Sequence, residues 1–181
     1  NKPELLADGT LICPSSSEDH DWRLHMEFTK DAGKTWTRTA ALNDGVTTSA
    51  IQPSVLKLPG GKLQLVCRSE NDYVLQATSE DQGKSWSALK PTTLLNPNSG
   101  IDAVTLQDGR HILVYNNTKK GRSPLNVAIS SDGQNWQDIA ILENEPNGEF
   151  SYPAVIQSTD GKIHITYTWK RKKIKHVVMT L

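Results

Sequence analysis

The sequence predicts an all-β protein, a β-propeller made of four-stranded blades. Two kinds of internal repeat predict it. The first is an aspartate-containing turn closed by tryptophan, whose aspartates Asp31, Asp81 and Asp132 lie 50 and 51 residues apart. The second is a tight glycine-containing turn between two short apolar runs. Together they give four strands per repeat of roughly 50 residues, which is the pattern of a propeller blade.

The aspartate turns follow the pattern S/T-x-D-x-G-x-T/S-W. It occurs at Thr29–Trp36 and Ser79–Trp86, and one residue shorter at Ser130–Trp136. The Asp carboxylate can accept hydrogen bonds from backbone N–H groups of its own loop, and Gly supplies a positive φ. Trp covers the turn with a large apolar face. We therefore predict that the three aspartates are structural and not catalytic.

The tight turns join the first two strands of each blade. They are Asp8-Gly9, Gly60-Gly61, Asp108-Gly109 and Asp160-Gly161. Such dipeptides between apolar runs indicate hairpins. The predicted blade units are 1–44, 45–95, 96–145 and 146–181, and the last has no aspartate turn. The chain is thus predicted to be a single partial propeller of about three and three-quarter blades, incomplete as a single-chain ring.

Composition limits the classes of function. Lys and Arg total 20 and Asp and Glu total 20, so the net charge is zero and general nucleic-acid or membrane-surface binding is not predicted. No apolar run approaches the length of a membrane span. No signal peptide is visible, so the compartment stays open, with the cytoplasm as the default expectation. The two cysteines and five histidines lack metal-ligand spacing, and no metal or cofactor is predicted.

The order of the strands predicts at which of the two ends of the propeller each polar residue lies. The tight turns and the aspartate turns share one end, and the loops between second and third strands share the other with the starts of the first strands. A sugar acid would suit that second end, because Arg can hold a carboxylate, Asn and Tyr can bond hydroxyls, and Trp can stack on a ring. Blade ends are also polar simply because they meet water. The predicted substrate-binding residues are Arg68, Arg122, Asn98, Asn116, Tyr115, Trp169 and Arg171.

The aspartate turns resemble the Asp-box, or BNR, repeats of sialidases and related six-bladed propellers. The resemblance extends to longer stretches, and it covers about half of such a protein, the C-terminal half. These stretches include Asn1-Lys-Pro3, Asn96–Asp102, Arg122–Leu125, Gly148–Pro153 and Ile165–Arg171. The resemblance implies an arginine triad on the substrate carboxylate, a Tyr nucleophile assisted by Glu, and an acidic general acid/base. In that pattern one arginine and the general acid come from N-terminal blades, which this chain does not contain.

The resemblance gives each candidate residue an expected role. Arg68 and Arg122 would clamp a carboxylate, and Glu149 would act as a base. Either Tyr152 or Tyr167 would be the nucleophile, and Asp102 is the acidic residue that could stand in for the general acid.

The function predicted from the sequence is that of a sialidase-like exo-glycosidase recognising acidic glycans, active only as a composite or in degenerate form. Two alternatives stay open. One is a non-catalytic glycan-binding or protein-interaction module, and the other is a lyase acting on uronic-acid polysaccharides. A homodimer that closes the ring is a further expectation.

Overall fold

The computed structural model describes residues 1–181 as fifteen β-strands in four antiparallel sheets, which confirms the predicted all-β propeller. The sheets are named blades 1 to 4 in chain order. Blade 1 contains β1 (Glu4–Leu5), β2 (Leu11–Ser17), β3 (Arg23–Thr29) and β4 (Thr37–Arg38). Blade 2 contains β5 (Ala50–Lys57), β6 (Leu63–Ser69), β7 (Tyr73–Ser79) and β8 (Lys90–Leu95). Blade 3 contains β9 (Asp102–Thr105), β10 (His111–Tyr115), β11 (Leu125–Ser130) and β12 (Gln137–Glu143).

Blade 4 has only three strands, as the absent fourth aspartate turn predicts. They are β13 (Phe150–Gln157), β14 (Ile163–Trp169) and β15 (Lys173–Met179). In every blade the strands lie side by side in chain order. A short 3₁₀ turn, Pro59–Gly61, is the one helical element. The chain contains no helix with the length and hydropathy that a membrane crossing requires.

The hydrophobic core is divided into three layers, one between each pair of neighbouring blades. Strand β10 shows how the layers arise, because successive side chains of a strand point to opposite faces of its sheet. Leu113 and Tyr115 face blade 2, whereas Ile112 and Val114 face blade 4. The second face of blade 4 has no neighbour within this chain, and it exposes Ile156, Ile174 and Val178. The arc of blades is therefore open.

The aspartate turns are held by their own side chains, which confirms their predicted structural role. In the first turn, the Thr29 hydroxyl and the Thr35 N–H both donate to the Asp31 carboxylate, each at 2.9 Å. The Trp36 indole N–H donates to the Gly33 carbonyl at 2.9 Å. The same bonds recur in the second and third turns.

The innermost strands of the blades are tied together at the propeller axis by one buried carboxylate, that of Asp102 on β9. Its Oδ1 accepts a hydrogen bond from the Ser54 hydroxyl of blade 2 at 2.9 Å. Its Oδ2 accepts the Val155 N–H of blade 4 at 2.8 Å and forms an ion pair with Lys2, which precedes β1. One side chain thus links all four blades. It was predicted as a candidate general acid, but its oxygens are occupied by these structural partners.

Replacement of Asp102 should destabilise the whole arc. In Asp102→Ala the buried Ser54 hydroxyl, the Val155 N–H and the Lys2 ammonium lose their acceptor, which we expect to lower the free energy of unfolding by about 3 kcal/mol. Asp102→Asn keeps one acceptor oxygen, so its free energy of unfolding should fall by less. Urea denaturation measures both. The control is Glu80→Ala, which removes an exposed pair with Lys62 and should change stability by about 0.5 kcal/mol or less. A loss for Asp102→Ala no larger than this would contradict the axial tie.

Candidate functional site

Three of the four blades bring side chains together at the end of the propeller that carries the loops between second and third strands. We call this set the arginine cluster. Its members come from the start of β5, the end of β6, the β8–β9 and β10–β11 loops, the β12–β13 segment and the start of β13. They are Gln52, Arg68, Asn98, Arg122, Glu149 and Tyr152.

Tyr152 reaches the cluster because β13 bulges at this residue. The register of β13 against β14 shifts between Ser151 and Ala154, and Tyr152 has a φ of 51°. A bulge of this kind redirects a side chain away from the regular alternation of a strand. The first strand of blade 2 bulges in the same way at Gln52, whose φ is 55°. Both residues stand before a proline and are equivalent in the two blades.

Gly100 occupies the equivalent position of blade 3 and leaves room for both side chains. A Cβ atom at Gly100 would lie 3.2 Å from Cδ1 of Tyr152 and 3.4 Å from Oε1 of Gln52. The first of these distances is shorter than ordinary carbon–carbon contact. The backbone of blade 3 therefore forms part of the wall of the site, against which the Tyr152 ring packs.

Arg68 is buried, at 7% exposure, and all of its hydrogen-bond partners are neutral. Its Nε donates to Asn98 at 2.7 Å and its Nη1 donates to Gln52 at 3.2 Å. Its guanidinium also lies over the Trp22 ring, 5.1 Å from the centroid. These groups fix the orientation of the guanidinium but do not neutralise its charge. Desolvation lowers the pKa of Arg68, although the group stays cationic at neutral pH.

Arg122 makes no side-chain hydrogen bond, and its one ion pair, with Glu149, is a long one. Its guanidinium stacks on the Tyr152 ring at 5.0 Å from the centroid. Its Nη1 is buried without any hydrogen-bond partner, and the nearest carboxylate oxygen, Oε1 of Glu149, lies 4.0 Å away. An unsatisfied buried donor on a charged group is costly unless a ligand completes it. The cluster thus presents two cations whose hydrogen-bonding capacity is incomplete, as an anion-binding site requires.

The two arginines act on the Tyr152 phenol. The nearby guanidinium of Arg122, with a smaller contribution from Arg68, holds the pKa of Tyr152 below its ordinary value of 10.0. The side chain is half exposed, so the phenol is accessible from solvent. No carboxylate accepts a hydrogen bond from its hydroxyl.

Two predicted site residues lie in the core instead, which corrects the site expected from the sequence. Tyr115 and Tyr167 are almost completely buried between blades. Their phenols donate to Asp138 at 2.8 Å and to Glu143 at 2.6 Å, on the outer strand of blade 3. Burial raises the pKa of each far above its ordinary range. The structure therefore does not place Tyr167 as a nucleophile or Tyr115 as a hydroxyl donor to a ligand.

The other predicted residues lie around the cluster. Asn116 is buried and donates to the backbone carbonyls of Pro124 and Phe150, so it holds the Arg122 loop against β13. Trp169 packs against Phe150, with ring centroids 6.5 Å apart. Arg171 pairs with Glu149 at the rim. Asn98 touches Arg68 directly, and Asp102 lies on the axis outside the cluster.

Three residues of the site were not predicted as site residues: Gln52, Gly100 and Trp22. The sequence does carry a signal for the first, because Gln52-Pro53 and Tyr152-Pro153 occupy equivalent places in their blade units. Nowhere in the chain do three or more His, Cys, Asp or Glu side chains come together as a possible metal site.

Comparison with known proteins identifies the family of the chain. Residues 1–165 match the model of the BNR repeat-like domain. The chain belongs to the BNR repeat-like family. This BNR repeat-like chain is 22% identical to the anhydrosialidase of Macrobdella decora over 92% of its own length and 24% of that protein. It is 24% identical to a sialidase of Bacteroides fragilis over 96% of its length and 35% of that protein. It therefore spans about a quarter to a third of the curated relatives it matches.

Solved structures share the fold of the BNR repeat-like chain. The intramolecular trans-sialidase of Ruminococcus gnavus superposes with a TM-score of 0.79 at 21% identity, over 99% of this chain and 43% of that one. An α-L-arabinanase of Penicillium chrysogenum superposes with a TM-score of 0.65 at 18% identity, over 97% of this chain and 60% of that one. Propellers of this type thus occur in proteins named for different carbohydrates.

The ionisation of Tyr152 can be measured directly. We expect its phenol to titrate below 10 in the wild-type chain, and Arg122→Ala to raise that pKa because the neighbouring cation is lost. The difference in ultraviolet absorbance between each protein and its Tyr152→Phe counterpart isolates this one phenol during a pH titration. Arg110→Ala, at the opposite end of blade 3, is the control and should not move it. An equal Tyr152 pKa with and without Arg122 would contradict the contact.

Proposed function

We propose that this chain recognises an acidic sugar by its carboxylate, in a site of the sialidase type. The single observation that carries the proposal is the convergence of Arg68 and Arg122 on Tyr152, with neither guanidinium hydrogen-bonded to a carboxylate. A sugar carboxylate would supply the missing acceptor oxygens through charge-assisted hydrogen bonds. The names of the relatives, sialidase and anhydrosialidase, support an acidic sugar as the ligand class.

The surroundings of the arginines suit the rest of a sugar ring. Asn98 and Gln52 carry amide groups beside Arg68, and amides can bond sugar hydroxyls. The ring of Trp22 also lies against the Arg68 guanidinium. The Tyr152 side chain, on which Arg122 stacks, is half exposed and so within reach of a ligand from solvent.

In the enzymatic form of the proposal, the protein is an exo-glycosidase of the sialidase type. Tyr152 would be its nucleophile, because the arginines lower the pKa of the phenol and so favour the phenolate. Glu149 would be the acid/base group at the rim. The chain spans less than half of its relatives, so the remaining catalytic groups would come from blades outside it.

The arrangement of the acidic side chains favours a second candidate function, in which these 181 residues alone bind the sugar without hydrolysing it. No carboxylate is hydrogen-bonded to the Tyr152 hydroxyl, Glu149 is engaged by Arg171, and Asp102 is engaged at the axis. A binding experiment together with a hydrolysis assay separates the two candidates. Appearance of an unsaturated product absorbing in the near ultraviolet would instead indicate the uronic-acid lyase.

We also propose that a second copy of the chain covers the open face of blade 4. The exposed Ile156, Ile174 and Val178 on that face support this, because large apolar side chains on one sheet face favour burial. Light scattering after size exclusion should then give twice the mass of one chain. The Ile174→Lys variant should have the mass of a single chain. A wild-type mass of one chain would contradict the homodimer.

Binding of free N-acetylneuraminic acid tests the site itself. We expect calorimetry to detect binding, Arg122→Ala to weaken it about tenfold or more, and Arg122→Lys to weaken it less. Arg68→Lys should also weaken it, because the bidentate geometry is lost while the charge stays. The methyl ester of the same sugar should bind poorly. Arg110→Ala, far from the cluster, is the control. Equal affinity for the acid and its ester would contradict a carboxylate clamp.

A further inference from the structure

Glu149 stands between two arginines that belong to different parts of the site. Its Oε1 forms an ion pair with Nε of Arg171, and the same oxygen lies 4.0 Å from Nη1 of Arg122. The Arg122 nitrogen is buried and makes no hydrogen bond. The backbones of Glu149 and Arg122 are joined by a β-bridge, so the two side chains start from neighbouring positions. Glu149 therefore forms only a long ion pair with Arg122, because its oxygen is hydrogen-bonded to Arg171.

The turn that carries Arg171 is unusual for its residue types. It joins β14 to β15 and is closed by a bond from the Lys172 N–H to the Trp169 carbonyl at 3.0 Å. Both central residues, Lys170 and Arg171, have a φ of 51°. Such hairpin turns favour Asn-Gly, because residues with a larger side chain are strained at positive φ. Backbone strain of this kind persists where the surrounding contacts fix it.

The side chains of that turn supply those contacts. Lys170 pairs with Glu145 at 2.6 Å, and Arg171 pairs with Glu149. Both acidic partners belong to the segment between β12 and β13. The two pairs are similar in charge and position, but only the Arg171 pair involves a carboxylate within reach of Arg122. Lys170 thus offers a matched control within the same turn.

We propose that Arg171 is a positioning residue that keeps the Glu149 carboxylate from closing its 4.0 Å ion pair with Arg122 into a direct hydrogen bond, and so keeps Arg122 Nη1 available to an anionic ligand. This rests on the proposed carboxylate site and names the residue that keeps it open. Without Arg171, Glu149 would accept a hydrogen bond from Nη1 of Arg122 and occupy the position of the ligand carboxylate. The chain would then inhibit its own site with an internal carboxylate.

The binding test is a double-mutant cycle with N-acetylneuraminic acid as the probe. We expect Arg171→Ala to weaken binding about fivefold or more, and Lys170→Ala to change it by less than about twofold. In the Glu149→Gln background, Arg171→Ala should have no more than about a twofold effect, because no internal carboxylate remains to compete. Equal effects of Arg171→Ala in both backgrounds would show that it acts only by its own charge, which would overturn the proposal.

A readout without ligand separates this inference from the proposed function. A direct hydrogen bond from Arg122 to Glu149 would weaken the influence of Arg122 on the Tyr152 phenol, so Arg171→Ala should raise the Tyr152 pKa. The same change in the Glu149→Gln background should raise it less. If the wild-type chain binds no sugar but the phenol responds in this way, the proposed function fails and the positioning role stands. A phenol that responds equally in both backgrounds, or to neither change, overturns the positioning role.

Discussion

The four blades depend on one buried carboxylate at the propeller axis. Asp102 accepts hydrogen bonds from blades 2 and 4 and pairs with the lysine that precedes the first strand of blade 1. The layers of apolar side chains between blades hold each neighbouring pair, but the Asp102 side chain contacts all four units at once. A buried carboxylate is tolerated only when its oxygens are satisfied, so the blades must adopt one relative arrangement to satisfy it.

That arrangement is what brings the arginine cluster together. Arg68, Arg122 and Tyr152 come from three different blades and meet only if the inner strands keep their positions. Bulges in β5 and β13 aim two side chains into the space left by Gly100. For the proposed carboxylate ligand the site would be preorganised, since the orientations of the cations are already fixed by neutral or aromatic neighbours. Because these buried cations are incompletely hydrogen-bonded, they lower the stability of the folded chain when no ligand is bound.

The repeats in the sequence were sufficient to predict the blades, the structural aspartate turns and the end at which Arg68, Arg122 and Tyr152 meet. Tyr167 was misplaced because alternation along β14 sends it to the same face as Ile163 and Ile165, into the core. Asp102 was misread because its role depends on three groups distant in the chain. Gly100 has no side chain, so its contribution is visible only once the blades are packed.

The most direct test of the central claim is a crystal structure of the chain with N-acetylneuraminic acid bound. The account predicts that the carboxylate lies between the guanidinium groups of Arg68 and Arg122, with the Tyr152 phenol facing the sugar ring. It also predicts that Glu149 remains on Arg171 in that complex. A sugar bound elsewhere, or one that turns its carboxylate away from both arginines, would contradict the account.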